Sequence, residues 1–289
     1  MNLESKRNPA ARLFGKKIKD PIRIRNRSRE SILAQMEQLY AIEQDSCIDL
    51  LAQEKLILRA ESLFESCSCS DAKRASQQDR RENGVCDPTL SYGEVEIAEF
   101  GKLLQRVQKI YGHCSSLKGK FYDIGSGVGK AVLLAAMFHG FELCCGIETV
   151  NGLHVIAEDK LSRDYVEKTI PMYSSEEKDE RSHTKIRFIW ADALEEDHWQ
   201  EASVVFAHAS AFSGSMMRRF AQICELLGPG SLVITCTRPM PESALTRGLF
   251  LGLFKDRMAT SWGVVKVFVY EKLSPPDKHE LNRGRNVRL

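Results

Sequence analysis

Apolar residues recur at roughly helical spacing from Glu30 to about Phe64, at Ile32, Met36, Leu39 and Tyr40, Cys47, Leu50 and Leu51, Ile57 and Leu58, and Phe64. Glu43 and Glu54 fall on that apolar face. The stripe therefore predicts one long amphipathic helix or a helical hairpin. Residues 1–29 carry no such period and are predicted to be disordered. Ser66 to Asp87, rich in Ser, Asp, Gln and Arg, reads as a polar, mobile linker.

A different pattern begins near Pro88. Ile97, Phe100, Leu103 and Leu104, Val107 and Ile110 outline a helix. Short apolar runs then alternate with helical stretches. The strand-like runs are Gly119–Ile124, Glu142–Ile147, Lys185–Trp190, Ser203–Phe206 and Ser231–Cys236. Between them lie helical patterns over Ala131–Met137, Asn151–Tyr165 and about Met216–Leu227. This alternation implies an α/β domain with a mainly parallel sheet covered on both faces. Ser261-Trp262, then Val264–Glu271, is strand-like with no helix after it, which predicts an antiparallel edge. The chain thus divides into an arm (1–29), a helical segment (30–65), a linker (66–87), an α/β domain (88–272) and a basic tail (273–289).

Composition adds little until its distribution is considered. A hydrophobic fraction of 43% with 28% charged residues is ordinary for a soluble globular protein. No run approaches the roughly 18 apolar residues of a membrane span, and the basic N-terminus lacks the apolar core of a secretory signal. The nine cysteines are odd in number and form no C-x-x-C pair, which favours reduced thiols in a cytosolic or nuclear protein. Cys67-Ser68-Cys69, with Cys86 beyond, fits no familiar zinc spacing, and no metal is expected. Net charge is only +2, yet residues 1–30 carry +7 and leave −5 for the rest. Such an arm suits a nucleic-acid contact, a nuclear-import signal or a solubilising tail.

The chemistry concentrates at the end of the first strand. Asp123, Gly125, Ser126, Gly127, Gly129 and Lys130 form a D-x-G-S-G-x-G-K turn between strand and helix. Glycines there let backbone and ligand approach closely. Glu148 ends the next strand, where an acid can accept both ribose hydroxyls of a nucleoside. Asp192-Ala193 follows the third strand, where a carboxylate can accept the exocyclic amine of adenine. The spacing G-x-G-x-G is not the dinucleotide G-x-G-x-x-G, and Asp123 would repel a pyrophosphate while meeting an amino group. A nucleotide-triphosphate loop fails as well, because Ile124 stands at its first glycine and Ala131 at its Ser or Thr. The combination points to S-adenosylmethionine (SAM), with S-adenosylhomocysteine as product.

Phe121–Gly129 is similar to the cofactor loop of the disruptor-of-telomeric-silencing (DOT) family, non-SET lysine methyltransferases of a core histone. Ser91-Tyr92-Gly93-Glu94 resembles its Y-G-E segment, and Gly146-Ile147-Glu148 its G-V-E ribose motif. Val204–Phe206 with Ala211-Phe212 resembles the segment lining its lysine channel, and Ser261-Trp262-Gly263 its Ser-Trp. The resemblance spans about residues 88–272. It implies a class I methyltransferase: a Rossmann-like, doubly wound sheet of seven strands, mainly parallel with an antiparallel C-terminal edge. It also implies a nucleosomal histone substrate, a nuclear location, and SAM contacts from Tyr92 and Glu94 that border the acceptor amine. One departure stands out: His208-Ala209 replaces the family's paired asparagines.

A lysine acceptor must be neutral, although its free pKa is about 10.4, and an apolar channel favours that form by desolvation. Phe212, Trp262 and Phe268 suit such walls. His208 suits either a proton acceptor or a residue shaping the channel, as an asparagine would. Glu94 has a structural reading too, as an acid in the first turn of a helix. A monomer is the default assembly.

Overall fold

The strands at the middle of the sheet are buried along most of their length, and their sequences are mainly apolar because both faces are covered. The computed structural model describes residues 50–85, 87, 90, 92–111, 119–169, 183–195 and 198–274. The basic arm, the first part of the predicted helical segment, Ser91 and most of the basic tail lie outside these residues. The sheet is built from β1 (Lys120–Ile124), β2 (Leu143–Glu148), β3 (Lys185–Trp190), β4 (Val204–Ala207), β5 (Leu232–Cys236), β6 (Phe250–Thr260) and β7 (Gly263–Lys272), in the order β3-β2-β1-β4-β5-β7-β6. The first five pair in parallel, and β7 runs antiparallel between β5 and β6. This is the mainly parallel α/β sheet with an antiparallel C-terminal edge that the sequence pattern predicts, and its seven doubly wound strands are those of the class I methyltransferase fold that the resemblance implies.

Alternate strand residues enter opposite layers, as the two-residue pleat requires. Phe121, Val204 and Phe206 point into a core with Phe100, Leu104 and Leu133, while Tyr122, Ile124 and Val205 point into a second with Trp199, Met217 and Phe220. Phe100 meets Phe206 edge-on at 5.1 Å, which fixes the helix α3 (Ile97–Tyr111) on the first face. Helix α4 (Lys130–Phe138) is buried from Ala131 to its end. After β2, α5 (Asn151–Val155) continues into wider π-helical turns over Ile156–Ser162 and Tyr165–Thr169. Buried residues recur there every fourth position, at Leu153, Ala157, Leu161, Tyr165 and Thr169. A winding looser than 3.6 residues per turn keeps that spacing on one face.

The extension departs from expectation. Helix α1 (Leu50–Phe64) buries Ala60, Leu63 and Phe64 against the domain, but the predicted mobile linker is largely helical. Residues Cys69–Glu82 form α2, opened by a capping box in which the Ser68 hydroxyl accepts the Asp71 N–H (3.2 Å) and the Asp71 carboxylate accepts the Ser68 N–H (3.1 Å). Its buried residues, Ala72 and Ser76, are small, so a very polar sequence still packs. At Gly152 of α5 an added Cβ would come within 3.2 Å of the Ala75 carbonyl oxygen. Strand β6 was not predicted as a separate element; its burial alternates along the sheet edge. Helices α6 (Gly214–Cys224) and α7 (Glu242–Thr246) complete the second face.

Because α2 has few large side chains to hold it, its cap should matter. Ser68→Ala should lower unfolding stability by about 1 kcal/mol, read from the midpoint of chemical denaturation at constant slope. An unchanged midpoint would show that packing alone sustains this helix.

Candidate functional site

The register of the parallel strands brings their carboxyl ends to one edge. Asp123 lies opposite Gly146 and Phe206, and Ile124 opposite Ile147 and Ala207. The turn after β1 therefore emerges between the ends of β2 and β4, where open α/β sheets bind ligands. It is tied to β2 by the Gly125 and Ser126 N–H groups, which donate to the Ile147 carbonyl at 2.9 and 3.1 Å. The Glu148 carboxylate accepts the Gly127 N–H at 2.7 Å and the Val150 N–H at 2.8 Å. Gly127 has φ +56, and a Cβ there would stand 2.4 Å from the Tyr92 ring. Only glycine meets both demands.

Two acids are buried under this turn. Asp123 is 3% exposed, and its Oδ1 has no hydrogen-bond partner among the described residues. Burial, and then the nearby Glu148 carboxylate, push its pKa well above the usual carboxylate range. Burial also raises Glu148, although the Val150 and Gly127 N–H groups oppose the shift. At the rim Asp192 is exposed, and its carboxylate accepts the Leu194 N–H at 2.8 Å. The Ala193 carbonyl accepts the Trp199 indole N–H at 2.9 Å, which anchors this loop to the core.

The loop before α3 closes the other side. The Tyr92 hydroxyl donates to Glu94 Oε1 at 2.7 Å, and Lys130 Nζ donates to Glu94 Oε2 at 3.0 Å. Lys130 also lies 5.4 Å over the Phe64 ring of α1. Glu94 is clasped to the β6–β7 turn, because its N–H reaches the Ser261 hydroxyl and its carbonyl the Ser261 N–H. Trp262 is thereby laid against the Gly93 backbone. Its ring is parallel to that of His208, with centroids 6.0 Å apart. Burial lowers the His208 pKa, and His208 Nε2 has no partner among the described residues.

These groups surround one cleft of about 790 Å³, counting the part open to solvent. Tyr92, Gly125, Gly127, Glu148, Asp192, Ala193, His208, Phe212 and Trp262 all line it. Other expected residues stand behind its wall. Asp123 and Ser126 are buried beneath the turn, and Gly129 packs on Phe188 and Ala157. Lys130 and Glu94 are engaged with each other rather than lining the cleft, and Glu94 precedes α3 instead of entering its first turn. Phe268 belongs to the second core and is not a lining residue; Tyr270 accepts the Met240 N–H at 3.1 Å. Leu153, Leu194 and Met216 also line the cleft but were missed, because nothing distinguishes them from core residues in the sequence.

The profile of the family described as histone methylation protein DOT1 matches residues 89–246. No curated protein matches the chain in sequence. Similar solved structures include magnesium protoporphyrin IX methyltransferase from Synechocystis PCC 6803. Its SAM-bound form is 12% identical with a TM-score of 0.43, covering 64% of this chain and 88% of that one. Its SAH-bound form is also 12% identical with a TM-score of 0.43, covering 68% and 94%. A candidate RNA methyltransferase from Pyrococcus horikoshii is 12% identical with a TM-score of 0.41, covering 62% and 83%.

The state of Asp123 has a measurable consequence. Its pKa is near 3.8 unfolded and higher folded, so the folded chain holds its proton longer. That contribution to stability is complete below the unfolded value and is lost as pH rises through the folded one. Asp123→Asn should therefore flatten the fall of apo stability above about pH 4 and leave the variant more stable than wild type at pH 7. It should also weaken SAM binding by about 1–3 kcal/mol, as a lost charged hydrogen bond does. Denaturation across pH, with calorimetry for SAM, checks both; a variant less stable at pH 7 with full SAM affinity would contradict the assignment.

Proposed function

We propose that this chain, which belongs to the DOT1 family of histone methylation proteins, transfers methyl groups from SAM to the ε-amine of a core-histone lysine in chromatin. The observation that carries this reading is the buried acid pair Asp123 and Glu148 under the G-x-G-x-G turn, with a carboxylate oxygen of Asp123 that has no partner among the described residues. A buried carboxylate oxygen just beneath the cleft wall calls for a donor, and an ammonium group seated against the glycine turn supplies one, directly or through water. Glu148 retains lone pairs beyond its two N–H donors for ribose hydroxyls. Asp192 and the Ala193 backbone flank the position suited to adenine. The residues present thus fit SAM, which when bound supplies a methyl group activated by its sulfonium.

The chain's own task is to hold an amine in line, neutral and dry. Tyr92, Phe212 and Trp262 form apolar walls that favour the neutral amine. Burial disfavours the charged form of His208 among them, which favours a ring nitrogen lone pair facing the amine over a repelling cation. The Tyr92–Glu94–Lys130 chain holds the loop that closes this side. A second reading, methylation of a non-histone protein, RNA or small molecule, is favoured by one observation: His208 occupies the wall where the resemblance implies an asparagine. A nuclear location follows from the chromatin substrate.

Tritiated SAM offered with nucleosomes, free histones and total RNA tests this reading. We expect label on a lysine of nucleosomal histone. Label on RNA alone would establish the second reading, and no transfer to any acceptor would mark an inactive SAM-binding module. The arm of residues 1–29 is proposed to contact nucleic acid. Its deletion should leave SAM binding intact and flatten the salt dependence of nucleosome binding; an unchanged slope would make it a solubilising tail or import signal.

A further inference from the structure

His208 is met at Nδ1 by a short chain of hydroxyls, solvent-exposed at its Thr237 end, that the reaction so far leaves unused. It follows β4, and Thr237 follows β5, its parallel neighbour. Ser210, in the one-turn 3-10 helix Ala209–Ala211, lies between them. Its hydroxyl is 3.4 Å from His208 Nδ1 and 2.7 Å from Thr237 Oγ1. The opposite ring nitrogen, Nε2, is buried without a partner among the described residues, on a residue that lines the cleft.

Thr237 sits there under strain. Its φ of +68 makes it the one non-glycine residue with positive φ among those described. The Arg238 N–H reaches back to the Cys236 carbonyl at 2.8 Å, closing a γ-turn around Thr237. With positive φ this is the rarer and strained form of that turn. A β-branched residue is among the least suited to it. The backbone is locked further by the Thr237 N–H, which donates to the Lys266 carbonyl of β7 at 2.7 Å. Strain of this kind persists where surrounding structure enforces it, and it gathers at functional sites. Here its product is a hydroxyl delivered to Ser210.

We propose that Ser210 and Thr237 are positioning residues for His208: Nδ1–H donates to Ser210 Oγ, Ser210 donates to Thr237 Oγ1, and the Nε2 lone pair is left to receive a proton from the acceptor amine. This rests on the reading of the cleft as the site of amine methylation. The Trp262 ring, stacked parallel to the imidazole, fixes its plane, and the hydroxyl chain fixes its tautomer. In the proton step an N–H bond of the acceptor's ammonium breaks and Nε2–H forms. Imidazolium charge is then shared with Ser210 through Nδ1–H, and the proton passes from Nε2 to water once the acceptor leaves. The ring returns to its starting tautomer without a flip.

Two readouts test this on the full-length chain. The first needs no turnover: nitrogen NMR of histidine-labelled protein at pH 8, with the His208 signals assigned by their loss in His208→Asn. We expect Nδ1–H as the dominant tautomer in wild type and in Thr237→Ser, and a shift toward Nε2–H in Thr237→Val and Ser210→Ala. The second is kinetic. In Thr237→Val kcat should fall by about tenfold, short of the roughly 100-fold that loss of a general base costs, with SAM affinity and acceptor KM unchanged and with Thr237→Ser restoring the rate. Thr237→Gly separates strain from chemistry: it should raise the melting temperature and yet be as slow as Thr237→Val. A wild-type His208 protonated mainly on Nε2, or a Thr237→Gly enzyme both more stable and fully active, would overturn the proposal. If wild type methylates no acceptor, the proposed reaction falls, while the NMR result still decides whether the hydroxyls set the ring.

Discussion

The Glu148 carboxylate is the fastening on which the cofactor half of this molecule depends. A carboxylate that is 7% exposed is tolerated only when donors replace its lost water. Glu148 finds them in the Gly127 N–H of the turn after β1 and the Val150 N–H that opens α5. One side chain therefore binds a strand end, a turn and a helix start into a single unit. Gly127 is fixed where Tyr92 packs on it, so the position of the loop before α3 follows from the same pair of bonds. A ligand that engages Glu148 acts on all of these at once.

The second constraint is electrostatic, and it explains why the extension packs so closely. Lys130 opens α4, and a cation at a helix N-terminus opposes the local dipole. Its side chain is also 15% exposed. Glu94 offsets both penalties, while Phe64 of α1 closes over the ammonium. Removing one member of such a buried pair leaves an uncompensated charge, which costs more than the pair contributes. The helical extension, the Tyr92–Glu94 loop and the glycine turn are thus coupled through one lysine, whose sequence position suggested only a cofactor contact.

How far this was legible in the sequence depended on whether a feature announced itself locally. The glycine turn did, because close approach at Gly127 excludes other residues, and the acids at 123, 148 and 192 lie at or just after successive strand ends. The inner strands did as well, since burial on both faces leaves continuous apolar runs. Helix α2 did not: its buried side chains are small and polar residues dominate, so composition mimicked a linker. Its cap could have been found, as Ser68 and Asp71 have capping-box spacing with Asp in place of the usual Glu. The strand β6 was obscured by three consecutive charged residues: Lys255 and Arg257 are exposed, while Asp256 between them turns to the other face and pairs with Arg106 of α3. Thr237 left no trace at all, because its strain arises from β7 holding its backbone, a contact distant in sequence.

Under the proposed reaction the two ends of the cleft make opposite demands on charge, and the fold separates them. A sulfonium and an ammonium favour acids nearby; a lysine that must lose its proton does not, because a free carboxylate beside it would stabilise the charged amine. Asp123 and Glu148 lie under the glycine turn and Asp192 at the adjacent rim, whereas the other end presents His208, Phe212 and Trp262. Glu94 is the acid that bridges the two, since Gly93 beside it touches Trp262. Both of its oxygens are already occupied, one by the Tyr92 hydroxyl and one by Lys130. Under the proposed reaction this pairing is what allows an acid to stand at the border: its charge is balanced by Lys130, so the acceptor amine meets the dipole of a tyrosine hydroxyl instead of a bare carboxylate.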